Sequence, residues 1–281
     1  MDVVALIVGF AFLFAASWHD VRTREVPDLL SYGLLVFALA YAVAKALLLS
    51  SWNPLLHSLA GFGLFFLLGL VMFYTGQWGG ADSKLLMGLG ALLGLSFQSW
   101  DAIIYLVFAL FAGAIYGIFY TAVLAFTHGK LFKKALVTFL RQPRVLIARV
   151  IVIIACFLLL GFAFLLPEYR IPLIVLLLAV YFLFYVWIVV KVVEQSLLIK
   201  AYPVSKLTEG DWIHEEVVKG KRTICGPKDY GISNAQIATL KRLKVKRVMV
   251  KEGIPFVPSF LLGLILYALF HAKISALLAL I

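Results

Sequence analysis

Ala102 to Thr127 reads AIIYLVFALFAGAIYGIFYTAVLAFT, a run without a single charged residue. A helix needs about 20 apolar residues to cross the roughly 30 Å hydrocarbon core of a bilayer, and this run has enough. Working outward in both directions, seven more apolar runs appear, so the full set is approximately 2–18, 28–49, 55–75, 82–97, 102–127, 147–166, 171–193 and 255–276. The fourth is short and has a polar start, Asp82-Ser83-Lys84. Composition agrees: of 281 residues, 64% are hydrophobic and 14% charged. Soluble domains are about 45–50% apolar and about 25% charged. Two cysteines exclude a disulfide scaffold. The expectation is an all-α polytopic membrane protein with about eight transmembrane helices and a small α+β cytoplasmic module before the last helix.

The net charge of +11 raises nucleic acid as a partner, until the basic residues are placed. The connections 19–27, 76–81, 128–146 and 194–254 fall on one side of an eight-span topology. With the flanking helix ends they hold 22 of the 25 Lys and Arg, leaving Lys45, Arg170 and Lys273 on the other. The positive-inside rule then puts these connections in the cytoplasm and both termini outside, in a multi-pass protein of the cell membrane. The first run has no basic n-region and no small-residue cleavage site, so it reads as a retained helix rather than a signal peptide. The charge surplus is an orientation marker, and no nucleic-acid partner is expected. Lys133, Lys134, Arg141 and Arg144 in the 128–146 loop suit topology and anionic lipid headgroups.

The organisation expected from this is a five-span membrane bundle over 1–127, a basic loop and two further spans over 128–199, a soluble module over 200–254, and a last helix over 255–281. The module holds twelve basic and six acidic residues. Trp212-Ile213 through Val217-Val218, and Thr223-Ile224-Cys225, read as short strands interrupted by Lys219-Gly220-Lys221. Ser233 with Gln236 forms a capping box for a helix from Asn234 to Leu243, and Val245 to Val250 reads as a strand. Its role is to cover the cytoplasmic end of the bundle, or to grip substrate or lipid headgroups.

A carboxylate at the centre of a spanning helix costs roughly 2.5–3.5 kcal/mol on insertion scales, so each acid near a span is informative. Asp2 and Asp101 fall at the outer water interface, and Asp28 suits the start of the second span. Asp20 and Asp82 are different. One ends the first span as it reaches the cytoplasm and the other begins the fourth as it leaves, so residues 62 positions apart meet at one depth. Gly79-Gly80-Ala81 precede Asp82 with little bulk, which allows an extended backbone close approach. Gly90 with Gly94, and Gly113 with Gly117, would let the fourth and fifth spans pack tightly. Two carboxylates within about 4–6 Å share a proton, so one can take a proton from water while its neutral partner polarises a peptide carbonyl. Spacing alone leaves three readings open: such a dyad, a carboxylate-dependent ion or proton-coupled transporter, and a structural membrane subunit. No His/Cys grouping at metal spacing, HExxH, GxSxG or P-loop is present, so no metal or cofactor is expected.

Trp18-His19-Asp20-Val21-Arg22-Thr23-Arg24-Glu25-Val26-Pro27-Asp28 resembles the first-aspartate segment of the type IV prepilin peptidases and archaeal preflagellin peptidases. Gly79-Gly80-Ala81-Asp82-Ser83-Lys84-Leu85 resembles their GxGD-type motif, with Ala81 where the second glycine is expected. Leu207 to Trp212 and Gly253-Ile254-Pro255-Phe256-Val257-Pro258 look like the C-terminal part of archaeal members. The resemblance implies a membrane aspartic endopeptidase with Asp20 and Asp82 as its catalytic pair and no cofactor. Its substrates would be prepilin-like or preflagellin-like proteins, cut at the cytoplasmic membrane face between a short basic leader and a hydrophobic helix. Lys84 then either steadies the ionised Asp82 or guides a carbonyl, or is an interfacial lysine reaching the headgroups.

Overall fold

Long uncharged runs can satisfy their backbone groups in a bilayer only as helices. The computed structural model, which describes residues 2–96, 100–219, 222–229 and 231–278, is built accordingly. Among the described residues, six helices are long and apolar enough to cross a membrane. They are α1 (Val3–Thr23), α2 (Asp28–Leu48), α3 (Asn53–Tyr74), α5 (Asp101–Thr127), α7 (Pro143–Leu165) and α8 (Arg170–Ser196). The remaining two apolar runs are also helical: α4 (Gly80–Leu93) and α10 (Val257–Leu278). This is a polytopic α-helical membrane protein. At 14 residues, α4 rises only about 21 Å. It stops at Gly94, whose φ of 68° breaks the helix before the expected end at 97, a residue outside those described.

The chain divides into two compact units, Met1–Gly117 with Gly253–Ile281, and Ile118–Glu252. In the first, α4 packs along α3 and α2, and α10 packs along α1. Its core gathers Leu13, Leu34, Phe65, Leu89, Tyr105 and Phe260. Asp2 caps α1 through the Ala5 N–H at 2.9 Å, and accepts from Tyr41 Oη and Lys45 Nζ of α2, each at 2.8 Å. That fixes the antiparallel α1–α2 pair at the end opposite Asp20.

Helix α4 is joined to α3 at three levels. Ser83 Oγ donates to the Gly69 carbonyl at 3.0 Å, and Ser58 Oγ donates to the Ala91 carbonyl at 2.7 Å. Between them Gly61 and Gly90 face each other so closely that a Cβ on either would lie 2.2–2.4 Å from the other's carbonyl oxygen. Small residues and hydroxyls hold membrane helices together in this way, because apolar side chains gain nothing by leaving lipid. The expected glycine pairs are therefore used differently. Gly90 serves the α3 contact, Gly94 ends α4, Gly113 makes room for Phe256, and Gly117 has open space.

The second unit contains the connection 128–146, which is itself largely helical: α6 (Gly129–Leu140) leads directly to α7. Phe132, Ala135, Leu136, Phe139 and Leu140 line one face of α6, against Ile188 and Val192 of α8. Lys130, Lys133 and Lys134 are exposed.

The module that follows has two antiparallel strand pairs. In one, β1 (Ile199–Pro203) pairs with β4 (Arg247–Lys251); in the other, β2 (Val217–Lys219) pairs with β3 (Arg222–Cys225). Strand β1 is an addition to the sequence reading, and Gly220 and Lys221 lie outside the described residues. The capping box forms as expected, with Ser233 and Gln236 opening α9 (Asn234–Arg242). Cys225 is buried among Ile213, Ile232, Leu240 and Val248. Burial, with Asp229 nearby, pushes its thiol above the usual range. Because the thiolate is the reactive form, Cys225 is expected to resist maleimide until the module is unfolded in urea. Labelling followed by mass spectrometry checks this, and rapid modification of the folded protein contradicts it.

Candidate functional site

Two acids that the chain separates by 62 positions are brought together by four helices of the first unit. Asp20 sits in the last turn of α1 and is 7% exposed, whereas its sequence neighbour His19 is exposed. The helix ends four residues later, where Arg24 adopts φ 61° and its N–H bonds the Asp20 carbonyl at 2.9 Å. The Asp20 side chain points to α10 and accepts the N–H of Val257, the first residue of that helix, at 3.0 Å on Oδ2.

Asp82 is the third residue of α4. Its Oδ2 accepts the Gly79 N–H at 3.0 Å, closing one half of an N-terminal capping interaction. The adjacent Ser83, bonded to both the Gly69 and Gly79 carbonyls, anchors this turn to α3. Asp82 is half-buried, and its carboxylate and that of Asp20 are near enough to interact electrostatically. Each carboxylate thus has one backbone N–H fixing one oxygen. Two carboxyl groups in one such environment can divide general-acid and general-base roles between them without a covalent nucleophile.

The predicted supporting residues divide. Gly79 supplies the N–H to Asp82, and a Cβ there would meet Asp82 Oδ2 at 3.4 Å, an ordinary contact. Gly80 opens α4, and Ala81 packs against the core. Lys84 does not reach Asp82. It pairs with Asp28 at the start of α2, Nζ to Oδ1 at 2.7 Å, with its ammonium 5.0 Å from the centroid of the Tyr32 ring. Two residues along a helix turn a side chain by roughly 200°, which carries Lys84 to the opposite face. Asp28 is thus both a helix-start acid and an ion-pair partner.

Sequence reasoning missed the residues that join the two aspartates. Trp78, directly before the Gly79 turn, is buried and packs against Phe256 and Phe260, with ring centroids 5.4 and 5.5 Å away. Arg24 Nη1 donates to the Gly253 carbonyl at 2.7 Å. The Pro255-Phe256-Val257-Pro258 stretch was the available signal, since proline is favoured at a helix start and the aromatic precedes it.

Comparison with known proteins points the same way. Residues 7–122 match the sequence profile of the type IV leader peptidase family, an interval that includes both aspartates. A preflagellin peptidase of Methanococcus maripaludis is 39% identical over 90 residues, covering 32% of this chain and 39% of the relative. Preflagellin peptidases of Methanococcus voltae and Methanocaldococcus jannaschii are 34% and 37% identical over stretches of the same length, each covering 38% of the relative. The chain spans about two fifths of the length of the curated relatives it matches. No solved structure matches it.

Proposed function

We propose, from the match of residues 7–122 to the type IV leader peptidase family, that the chain is a membrane aspartic endopeptidase. Its substrates are preflagellin-like or prepilin-like proteins, from which it removes a short basic leader. The observation that carries this reading is the convergence of Asp20 and Asp82, each held by one backbone N–H, inside the matched interval. The similarity to preflagellin peptidases supports it, and nothing in the fold favours a transporter.

The chemistry proceeds by water attack. One carboxylate, ionised, takes a proton from water as the oxygen adds to the scissile carbonyl carbon. The other, protonated, donates its hydrogen to the carbonyl oxygen and stabilises the tetrahedral intermediate. Collapse expels the amine, which takes its proton from the first carboxyl group, and the second recovers its own. The pair ends as it began, and no group is consumed.

The charge distribution supports a cytoplasmic site with both termini outside, because Asp20 and Asp82 both flank connections on the Lys/Arg-rich side. Substrate recognition then falls to the helix that follows the leader, lying along the bundle as its junction reaches the aspartates. The basic connections would repel a basic leader rather than bind it. They suit lipid instead: α6 places Lys130, Lys133 and Lys134 outward from an apolar face. Changing these three to Gln is expected to weaken association with anionic headgroups by about 1 kcal/mol per lysine at low ionic strength. Native mass spectrometry with added phosphatidylglycerol reads this, and equal retention by the variant removes the lipid role.

The direct test of the peptidase is purified protein in liposomes with a preflagellin-type substrate, followed by a gel shift and N-terminal sequencing of the product. A single cut between leader and hydrophobic helix is the expected result. An intact substrate under conditions that keep the enzyme folded would overturn the reading.

A further inference from the structure

Helix α10 lies outside the interval that matches the peptidase family, yet its first turn touches the surroundings of both aspartates. Val257, fully buried, gives its N–H to Asp20. Phe256 and Phe260, one residue before and three after, pack against Trp78, the first with tilted rings and the second edge-on, and Trp78 directly precedes the Gly79 N–H that holds Asp82. From the other direction Arg24, at the end of α1, bonds the Gly253 carbonyl of the same segment. The contacts close a circuit: Asp20 to Val257, Phe256 to Trp78, Gly79 to Asp82. A first helical residue has an N–H with no partner inside its own helix, so its use by Asp20 costs α10 nothing.

We infer that the first turn of α10 is a positioning element of the aspartate pair, with the Val257 N–H orienting Asp20 and the Phe256–Trp78–Phe260 cluster setting the distance between the two carboxylates. The inference rests on the peptidase reading and extends the catalytic assembly beyond the matched interval to the last helix. Two carboxylates that must exchange protons with one water and one carbonyl tolerate little angular error. Asp20 is attached to α1 by a flexible side chain, and a single fixed donor removes much of that freedom. The cost of losing the donor therefore falls on turnover rather than on binding of the substrate helix.

Proline at the first position of a helix preserves helical φ and removes only the N–H. Val257→Pro is therefore the informative change, compared with Val257→Ala, which keeps the N–H and also trims the side chain. Val257→Pro is expected to have a kcat about 10- to 100-fold below that of Val257→Ala, with similar KM. Its pH–rate profile is displaced from that of Val257→Ala, because Asp20 has lost the N–H that holds its Oδ2, while Asp82 and Arg24, the charged groups around it, are unchanged. Equal kcat and superposable pH profiles for the two variants overturn the inference, while cleavage by the parent enzyme keeps the peptidase reading intact.

A second measurement avoids any folding defect in the proline variant. In 15N-valine-labelled protein the Val257 amide resonance is expected to move with pH as Asp20 titrates, and to lose that movement in Asp20→Asn. A Val257 resonance indifferent to both overturns the inference even if every variant is inactive.

Discussion

On the peptidase reading, Asp20→Asn and Asp82→Asn are each expected to lower cleavage of a preflagellin-type substrate by about a thousandfold or more, while the purified proteins are expected to unfold at nearly the parent temperature. The amide is nearly isosteric with the carboxyl group, and its oxygen can still accept the N–H of Val257 in one variant and of Gly79 in the other. What it cannot do is carry a proton between water and leaving amine. General acid–base groups contribute about 10²–10⁴-fold each. Here the two act on one proton inventory, so the double variant is expected to be little worse than either single one. The measurement is single-turnover cleavage in liposomes alongside thermal unfolding. If either variant processes substrate at a tenth of the parent rate, the dyad assignment is wrong.

The second large effect is on folding. Gly61→Ala and Gly90→Ala each place a methyl carbon against the carbonyl oxygen of the opposing helix, at 2.2 and 2.4 Å. Backbone cannot rotate aside as a side chain can, so α3 and α4 must separate. Overpacking in a well-filled interior costs about 1–3 kcal/mol, and a backbone clash belongs at or above the upper end. Separation also strains the Ser58–Ala91 and Ser83–Gly69 hydrogen bonds above and below it. Since Ser83 follows Asp82, cleavage should fall together with stability. Gly63→Ala, on the same helix but facing open space, is the control and is expected to be nearly neutral. Thermal unfolding in detergent distinguishes them, and equal midpoints for Gly61→Ala and Gly63→Ala would contradict the packing described.

The sequence made the membrane fold and the two aspartates legible for the same reason. In a chain with 14% charged residues, each acid beside a span is conspicuous, because the bilayer makes it costly. Contacts made by backbone groups were not legible. Every residue but proline has an N–H, and nothing local announces that Val257's is the one that Asp20 takes. Lys84 was associated with Asp82 by proximity along the chain, whereas helical geometry turned it toward Asp28. The Gly61–Gly90 contact was hidden by the abundance of glycine in membrane helices, so only half of it was suspected. Strand β1 was missed because its partner β4 lies more than forty residues away, and Ile199-Lys200-Ala201-Tyr202-Pro203 has weak alternation of its own. The short α4 was read as longer because apolarity continues past Gly94 while the backbone conformation does not.

The brevity of α4 also bears on how the chain enters the membrane during synthesis. At about 21 Å, with an acid in its first turn, α4 is a poor candidate for lateral release into lipid on its own. Its faces are lined by Leu85, Leu86, Leu89, Leu92 and Leu93, all taken up by protein neighbours. Helix α3 is the opposite, long enough to partition alone and already emerged when α4 is translated. A hairpin of the two, fastened by serine hydroxyls and facing glycines, can leave the insertion machinery where the second helix by itself would stall. The order of α3 before α4 in the chain suits insertion of the two as a pair, with Asp82 carried by the shorter, later helix.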